Sequence, residues 1–150
     1  MWIELAANKV EIEHCRDKLL ESIRTWKNHY AQEYAVFALI AFRRDLQEYD
    51  PSDLAFRLVY GPGGSIEAVG YARVEMNKNG HEYLNIVYIA SSGLRKGQGT
   101  ELMNSFVDTA NEDHIDIVVF PDPDALKFYS QWGARQKGLY LHIKHRGKKV

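Results

Sequence analysis

A chain of 150 residues, 45% hydrophobic and 26% charged, has the composition of a globular protein and the length of a single domain. Its net charge of −1 gives no general pull toward nucleic acid or an anionic membrane. The single cysteine, Cys15, excludes an internal disulfide and a cysteine zinc site, and no other metal-ligand pattern stands out.

The longest apolar run, Ala35 to Phe42, has 8 residues, too few to span a membrane. Met1-Trp2-Ile3-Glu4 shows neither the basic nor the apolar segment of a secretory signal. The expectation is one domain over residues 1–150 in a reducing cytoplasm, with monomer and homodimer both open.

Trp2 to Ala6 is predicted as a short first strand. From Asn8 the pattern becomes helical, with Ile12, Cys15, Leu19, Ile23, Trp26 and Tyr30 in one core-facing stripe. His29 and Tyr30 then close that helix. A second helix is expected from Gln32 to Tyr49, stopping before Asp50-Pro51. Its alanine-rich centre, Tyr34 to Phe42, favours helix over strand.

Leu54 to Tyr60 and Ile66 to Met76 read as strands, separated by Gly61-Pro62-Gly63-Gly64-Ser65. Asn79-Gly80 suits a type I′ turn, with φ > 0 at both residues. His81 to Ala90 is the third strand of this meander. A helix over 97–113 follows, then an apolar strand from Ile115 to Phe120. Asp124 is the expected N-cap of a helix from Ala125 to Trp132, which Gly133 ends. A last strand runs from Gln136 to Lys144. His142 and His145, three apart on it, would face opposite ways. Lys144, His145, Arg146, Lys148 and Lys149 read as a solvated basic tail.

The chain is organised around residues 83–104. An apolar, β-branched run from Leu84 to Ala90 breaks at Ser91-Ser92-Gly93. Arg95-Lys96-Gly97-Gln98-Gly99-Thr100 follows, and then a helical pattern of Leu102, Met103, Phe106, Val107 and Ala110. A strand, a glycine turn and a helix start make a phosphate cradle: the first N–H groups of a helix lack internal partners, and glycine admits an anion close to the backbone. No lysine follows a glycine as a Walker A loop requires, and Leu102 stands where a dinucleotide fingerprint needs glycine.

The stretch resembles the core motif of the GNAT superfamily of acetyl-CoA-dependent N-acetyltransferases, Gln/Arg-x-x-Gly-x-Gly/Ala, most closely its histone-acetyltransferase branch. The Gln/Arg position falls on Leu94, with Arg95 one place later. Residues 122–134, with Ala125, Phe128, Tyr129 and Gly133, resemble the family's second block. The resemblance implies an α/β (mixed α+β) fold, a mixed central sheet with helices on both sides, in the order β-α-α-β-β-β-α-β-α-β.

It also implies a chemistry. Acetyl-CoA would be the co-substrate and an amine the acceptor. The acyl arm would lie between Leu84–Ala90 and Ile115–Phe120 where these parallel strands splay. The backbone at Ile89 and Ala90 would pair with pantetheine, with the Ile89 N–H as oxyanion donor. Asp122 would contact pantetheine too. The N–H groups from Arg95 through Lys96, Gly97, Gln98 and Gly99 to Thr100 would hold the pyrophosphate, with Arg95 or Lys96 screening its charge. Tyr129 falls on the general-acid position. The family's acidic base position falls at Tyr83 beside Glu82, so Glu82 is the first candidate base, with Glu75 and His81 as others. Two alternatives stay open: a GNAT-fold binding module that has lost catalysis, and a toxin-like acetyltransferase acting on aminoacyl-tRNA.

Overall fold

The computed structural model describes residues 1–146, and the order of its elements is β1 (Trp2–Glu4), α1 (Lys9–Ser22), α2 (His29–Asp45), β2 (Leu54–Tyr60), β3 (Ile66–Met76), β4 (Glu82–Ser91), α3 (Gln98–Asp113), β5 (Asp116–Val119), α4 (Leu126–Tyr129), β6 (Arg135–Lys137) and β7 (Tyr140–Ile143). Seven strands form one mixed sheet in the order β1-β2-β3-β4-β5-β7-β6. Only β4 and β5 run parallel.

Alternation along β2 assigns the two faces. Phe56 and Leu58 pack with Ile12, Cys15 and Leu19 of α1 and Ala35, Leu39 and Phe42 of α2. Burial among them pushes the Cys15 thiol up to about 11. Arg57 points the other way. It is buried, donates to Ser105 Oγ (3.1 Å) and Thr109 Oγ1 (2.9 Å) of α3, and pairs with Glu4. On that face Met103 and Phe106 pack against Leu84, Ile86, Ile117 and Leu141. The helices therefore cover both sides of the mixed sheet, as expected.

Several boundaries differ from the sequence expectation. The first helix ends at Ser22, whose hydroxyl donates to Lys18 O (2.8 Å) and accepts the Ile66 N–H (2.9 Å). Trp26 still reaches the core, but from the following turn, where its Nε1 donates to Ile66 O at 3.0 Å. Asn28 then caps α2 by accepting the Ala31 N–H, so His29 and Tyr30 begin a helix rather than end one. Tyr30 leaves the stripe and is 67% exposed. α2 stops at Asp45, four residues before Tyr49, and its apolar centre is helical as expected.

The hairpin before β4 is not type I′. Asn77 Oδ1 accepts the N–H groups of Asn79 and His81, and only Gly80 of the pair takes positive φ (80°). The 125–132 helix is shorter than expected. Pro123–Ala125 and Ser130–Trp132 are 3₁₀ turns flanking α4, and the residue ahead of the first turn is Asp122 rather than Asp124. Gly133 ends the segment as expected. The last strand breaks at Gly138-Leu139 into the β6–β7 hairpin, so the described residues hold one strand more than the sequence order suggests. Of the basic tail, Lys148 and Lys149 lie outside the described residues, while the Arg146 N–H donates to Asn111 Oδ1.

One irregularity prepares the site. Tyr71 pairs with Tyr88 and Ala72 with Ile86, so Val87 is an extra residue on β4, a β-bulge. The parallel pairing of β4 with β5 ends at Ile86 and Val119. Phe120-Pro121 follows on β5's side, and proline cannot continue the ladder. From Val87 onward β4 keeps β3 on one edge and has no strand on the other.

Candidate active site

The parting of β4 and β5 opens a groove of about 760 Å³. Ile86–Ser91 form one wall, and Phe120, Pro121 and Asp122 form the other. Alternate backbone groups on an unpaired strand edge stay free to bond a ligand. Tyr34 of α2 crosses the groove and donates from its hydroxyl to Asp122 Oδ2 at 3.0 Å, which raises the Tyr34 pKa.

Tyr129 lines the far side and is 3% exposed. Its hydroxyl has no hydrogen-bond partner among the described residues, and burial pushes its pKa up. The ring is held by Phe128 (centroids 5.0 Å apart, edge-on), which also packs edge-on against Trp132. Trp132 Nε1 donates to Asn104 Oδ1 of α3 at 2.8 Å. These contacts fix a helix of only four residues.

At the other end of the groove lies the glycine turn. Gly97 takes φ 91°, a left-handed value that glycine reaches without cost, and a Cβ there would meet nothing. The N–H groups of Arg95 through Thr100 have no acceptor among the described residues. This run of free donors at the start of the 16-residue α3 fits a pyrophosphate. Leu94 is 41% exposed beside it.

The side chains of the turn are less free than its backbone. Arg95 bonds Glu67 of β3 through Nε (3.0 Å) and Nη2, and Gln98 turns inward to the same carboxylate. The Glu67 C=O accepts the Ser92 N–H at 2.7 Å. Lys96 forms no ion pair among the described residues and is the uncommitted cation of the turn. Sequence reading missed Glu67, because nothing in its local pattern marks an acidic strand residue as buried.

Ile89, Ala90, Gly99, Asp122 and Tyr129 therefore line one groove. Glu82 does not join them. It sits exposed at the opposite end of β4 with His81, lining a second groove of about 730 Å³. Glu75 is engaged by Asn85 Nδ2 (2.9 Å), Tyr49 Oη (3.4 Å) and Arg73 Nη2 (3.5 Å). The two grooves share Phe120.

The second groove holds a cluster that the sequence reading divided between two faces. β7 ends at Ile143, so His145 lies beyond the strand and returns toward His142. His142 Nε2 is 2.8 Å from Asp116 Oδ2, and the His145 N–H donates to Asp116 Oδ1 at 3.0 Å. Burial raises the Asp116 pKa, but the His145 N–H and the two imidazoles outweigh it and hold the carboxyl below the usual range. No group of three or more His, Cys, Asp or Glu among the described residues is arranged to hold a metal, and no helix there is long and apolar enough to cross a membrane.

A bulged, splayed parallel pair thus leads into a glycine turn whose backbone donors are free among the described residues. The family model described as Acetyltransferase (GNAT) family matches residues 15–134, and the chain belongs to that family. By sequence alone, no curated protein matches the chain. The fold is similar to that of Chaetomium thermophilum Naa20, solved in complex with a bisubstrate analogue, at 12% identity, with 97% of this chain and 86% of that one covered and a TM-score of 0.67. It is similar to Tetrahymena GCN5 at 10% identity, with 99% and 98% covered and a TM-score of 0.65. A third similar structure is glucosamine-6-phosphate N-acetyltransferase from Arabidopsis thaliana, at 15% identity, with 100% and 98% covered and a TM-score of 0.62.

Proposed function

We propose that residues 1–150 work as one N-acetyltransferase domain that moves an acetyl group from acetyl-CoA to a primary amine by direct attack. The observation that carries this reading is a single groove with free backbone donors of residues 95–100 at one end and the unpartnered Tyr129 hydroxyl along its side. Acetyl-CoA supplies the thioester carbonyl and the thiol leaving group.

The N–H groups of Arg95, Lys96, Gly97, Gln98, Gly99 and Thr100 hold the pyrophosphate, and Lys96 screens its charge. Leu94 flanks the phosphates as an apolar neighbour. The open edge of β4 at Ile89 and Ala90, with Asp122 across the groove, receives pantetheine. The Ile89 N–H stabilises negative charge developing on the carbonyl oxygen. Tyr129 gives a proton to the departing sulfur; its raised pKa keeps that proton in place at neutral pH.

Calorimetric titration with acetyl-CoA tests this reading, beside a Gly97→Glu/Gly99→Glu control that brings negative charge to the cradle. Micromolar-range binding lost in the control is the expected result. No binding to the parent protein would overturn it. A second reading, a CoA-binding module without turnover, is favoured by Leu94 and by the hold of Glu67 on Arg95. Binding without transfer to any of a panel of amines would establish that reading instead.

A further inference from the structure

We propose that the His142–Asp116 pair is the base that takes the proton from the acceptor's ammonium, and that the second groove is the channel by which a cationic primary amine arrives. The inference rests on the acetyl-transfer reading above and adds a residue and a path to it.

The geometry carries it. His142 stands opposite Val118 in the β5–β7 ladder, two residues before Phe120, the residue common to both grooves. Two strand residues span about 7 Å, a distance an incoming amine bridges as it passes from one groove to the other. Asp116 Oδ2 holds the Nε2 side of the imidazole at 2.8 Å, while the His145 N–H pins the other carboxylate oxygen. A carboxylate on one ring nitrogen fixes the proton there and leaves the other nitrogen's lone pair available, the arrangement by which hydrolase triads orient their histidine. His142 Nδ1 has no partner among the described residues, and the side chain is 20% exposed to the groove.

The channel suits an ammonium. Tyr83, Phe120 and Tyr140 line it with aromatic rings, and the exposed Glu82 lines it too. Asp116 bonds His142 directly, Arg135 stands opposite it in the β6–β7 ladder, and Tyr83, His114, Lys137 and His145 line the same groove. Glu82 at the start of β4 and His81 just before it sit four to five residues from Ile86, where the strands part, and have no orienting side-chain partner among the described residues.

The proton count closes. His142 Nδ1 takes one proton from the ammonium, becomes imidazolium against ionised Asp116, and returns that proton to water. The freed lone pair forms the N–C bond as the C–S bond breaks. The second proton lost by the nitrogen replaces the one Tyr129 gives to sulfur. An ammonium and an acetyl thioester become an amide, a thiol and one released proton.

The test compares His142→Gln with the parent on two nucleophiles at neutral pH: ethylamine, which arrives protonated, and hydroxylamine, which arrives neutral. The substituted side chain keeps a donor for Asp116 but cannot accept a proton. The expected result is transfer to ethylamine slowed roughly 100-fold, with transfer to hydroxylamine and the affinity for acetyl-CoA unchanged. Equal loss on both nucleophiles, or loss on neither, would overturn the role of His142 while leaving acetyl transfer standing. A parent protein that transfers to neither would overturn this role and its channel for small cationic amines, while the amine panel above decides acetyl transfer separately. A readout independent of turnover is the imidazole nitrogen spectrum, with the His142 signal assigned by its loss in His142→Gln. The Nε2–H tautomer, shifted by added ethylammonium, is expected; a proton on Nδ1, or no shift, would also overturn the proposal.

Discussion

The Arg95 guanidinium rests on the Glu67 carboxylate, Nε 3.0 Å from Oε2, directly under the turn that carries the free donors. Glu67 is 8% exposed and also takes Gln98, so one carboxylate of β3 organises the entry to α3. The positive charge of Arg95 is thereby committed to the fold, and the charge available to a ligand's phosphates is that of Lys96.

Arg95→Ala and Lys96→Ala should therefore part company. Removing Arg95 leaves a buried carboxylate short of its cation, at a cost of about 1–3 kcal/mol in stability, discounted because the guanidinium is itself 44% exposed. Removing Lys96 should leave stability unchanged and weaken acetyl-CoA binding, with a flatter dependence on salt. Urea denaturation and calorimetry at two salt concentrations separate them. The reverse pattern would mean that Arg95 leaves Glu67 when phosphate arrives.

A Cβ at Gly61 would run into the Glu67 carboxylate, which can move aside only by giving up Arg95 and Gln98. Gly61→Ala should cost about 1–3 kcal/mol, as overpacking does. In a Glu67→Ala background the same change should cost almost nothing. A double-mutant cycle measures this coupling, and additive effects would refute the contact.

Tyr129→Phe removes a hydroxyl without a protein partner, so the melting temperature and acetyl-CoA affinity should hold. Turnover should fall roughly 100-fold, as the loss of a positioned acid does. Undiminished turnover would remove Tyr129 from the mechanism.

Asp45 ties α2 to β3, accepting from Tyr71 Oη at 2.6 Å and Arg73 Nη1 at 2.8 Å. Burial raises its pKa, but the bonds from Tyr71, Arg73 and Arg44 outweigh burial and lower it overall. A depressed carboxyl stabilises the fold above its unfolded pKa, near 4, and that stability is lost as pH falls through the folded value. For Tyr71, burial and the Asp45 bond raise the pKa. Its contribution is present below about 10 and lost as pH rises beyond it. Denaturation midpoints between pH 2 and pH 7 should therefore fall steeply for the parent on the acid side. They should fall less steeply for Asp45→Asn, which starts from a lower stability at pH 7. Parallel acid limbs would show that other carboxylates set the slope.

Local pattern carried much of this protein. Leu54–Tyr60 and Ile66–Met76 are strands to the residue, because the first is a short, mostly apolar run and the second alternates, each bounded by turn formers. The α3 start at Gly97-Gln98 and the aromatic pair Phe128-Tyr129 are equally plain in the chain, since both motifs are contiguous. Tertiary structure alone decided the rest. A helix ends where another segment takes its hydrogen bonds, as Ser22 does with Ile66, and a strand pair parts where a bulge at Val87 meets the proline at 121. Arg95 turned to Glu67, 28 residues earlier in the chain, and His142 met Asp116 across 26 residues. Those pairings depend on register and strand length, which a charge's immediate neighbours in sequence do not encode.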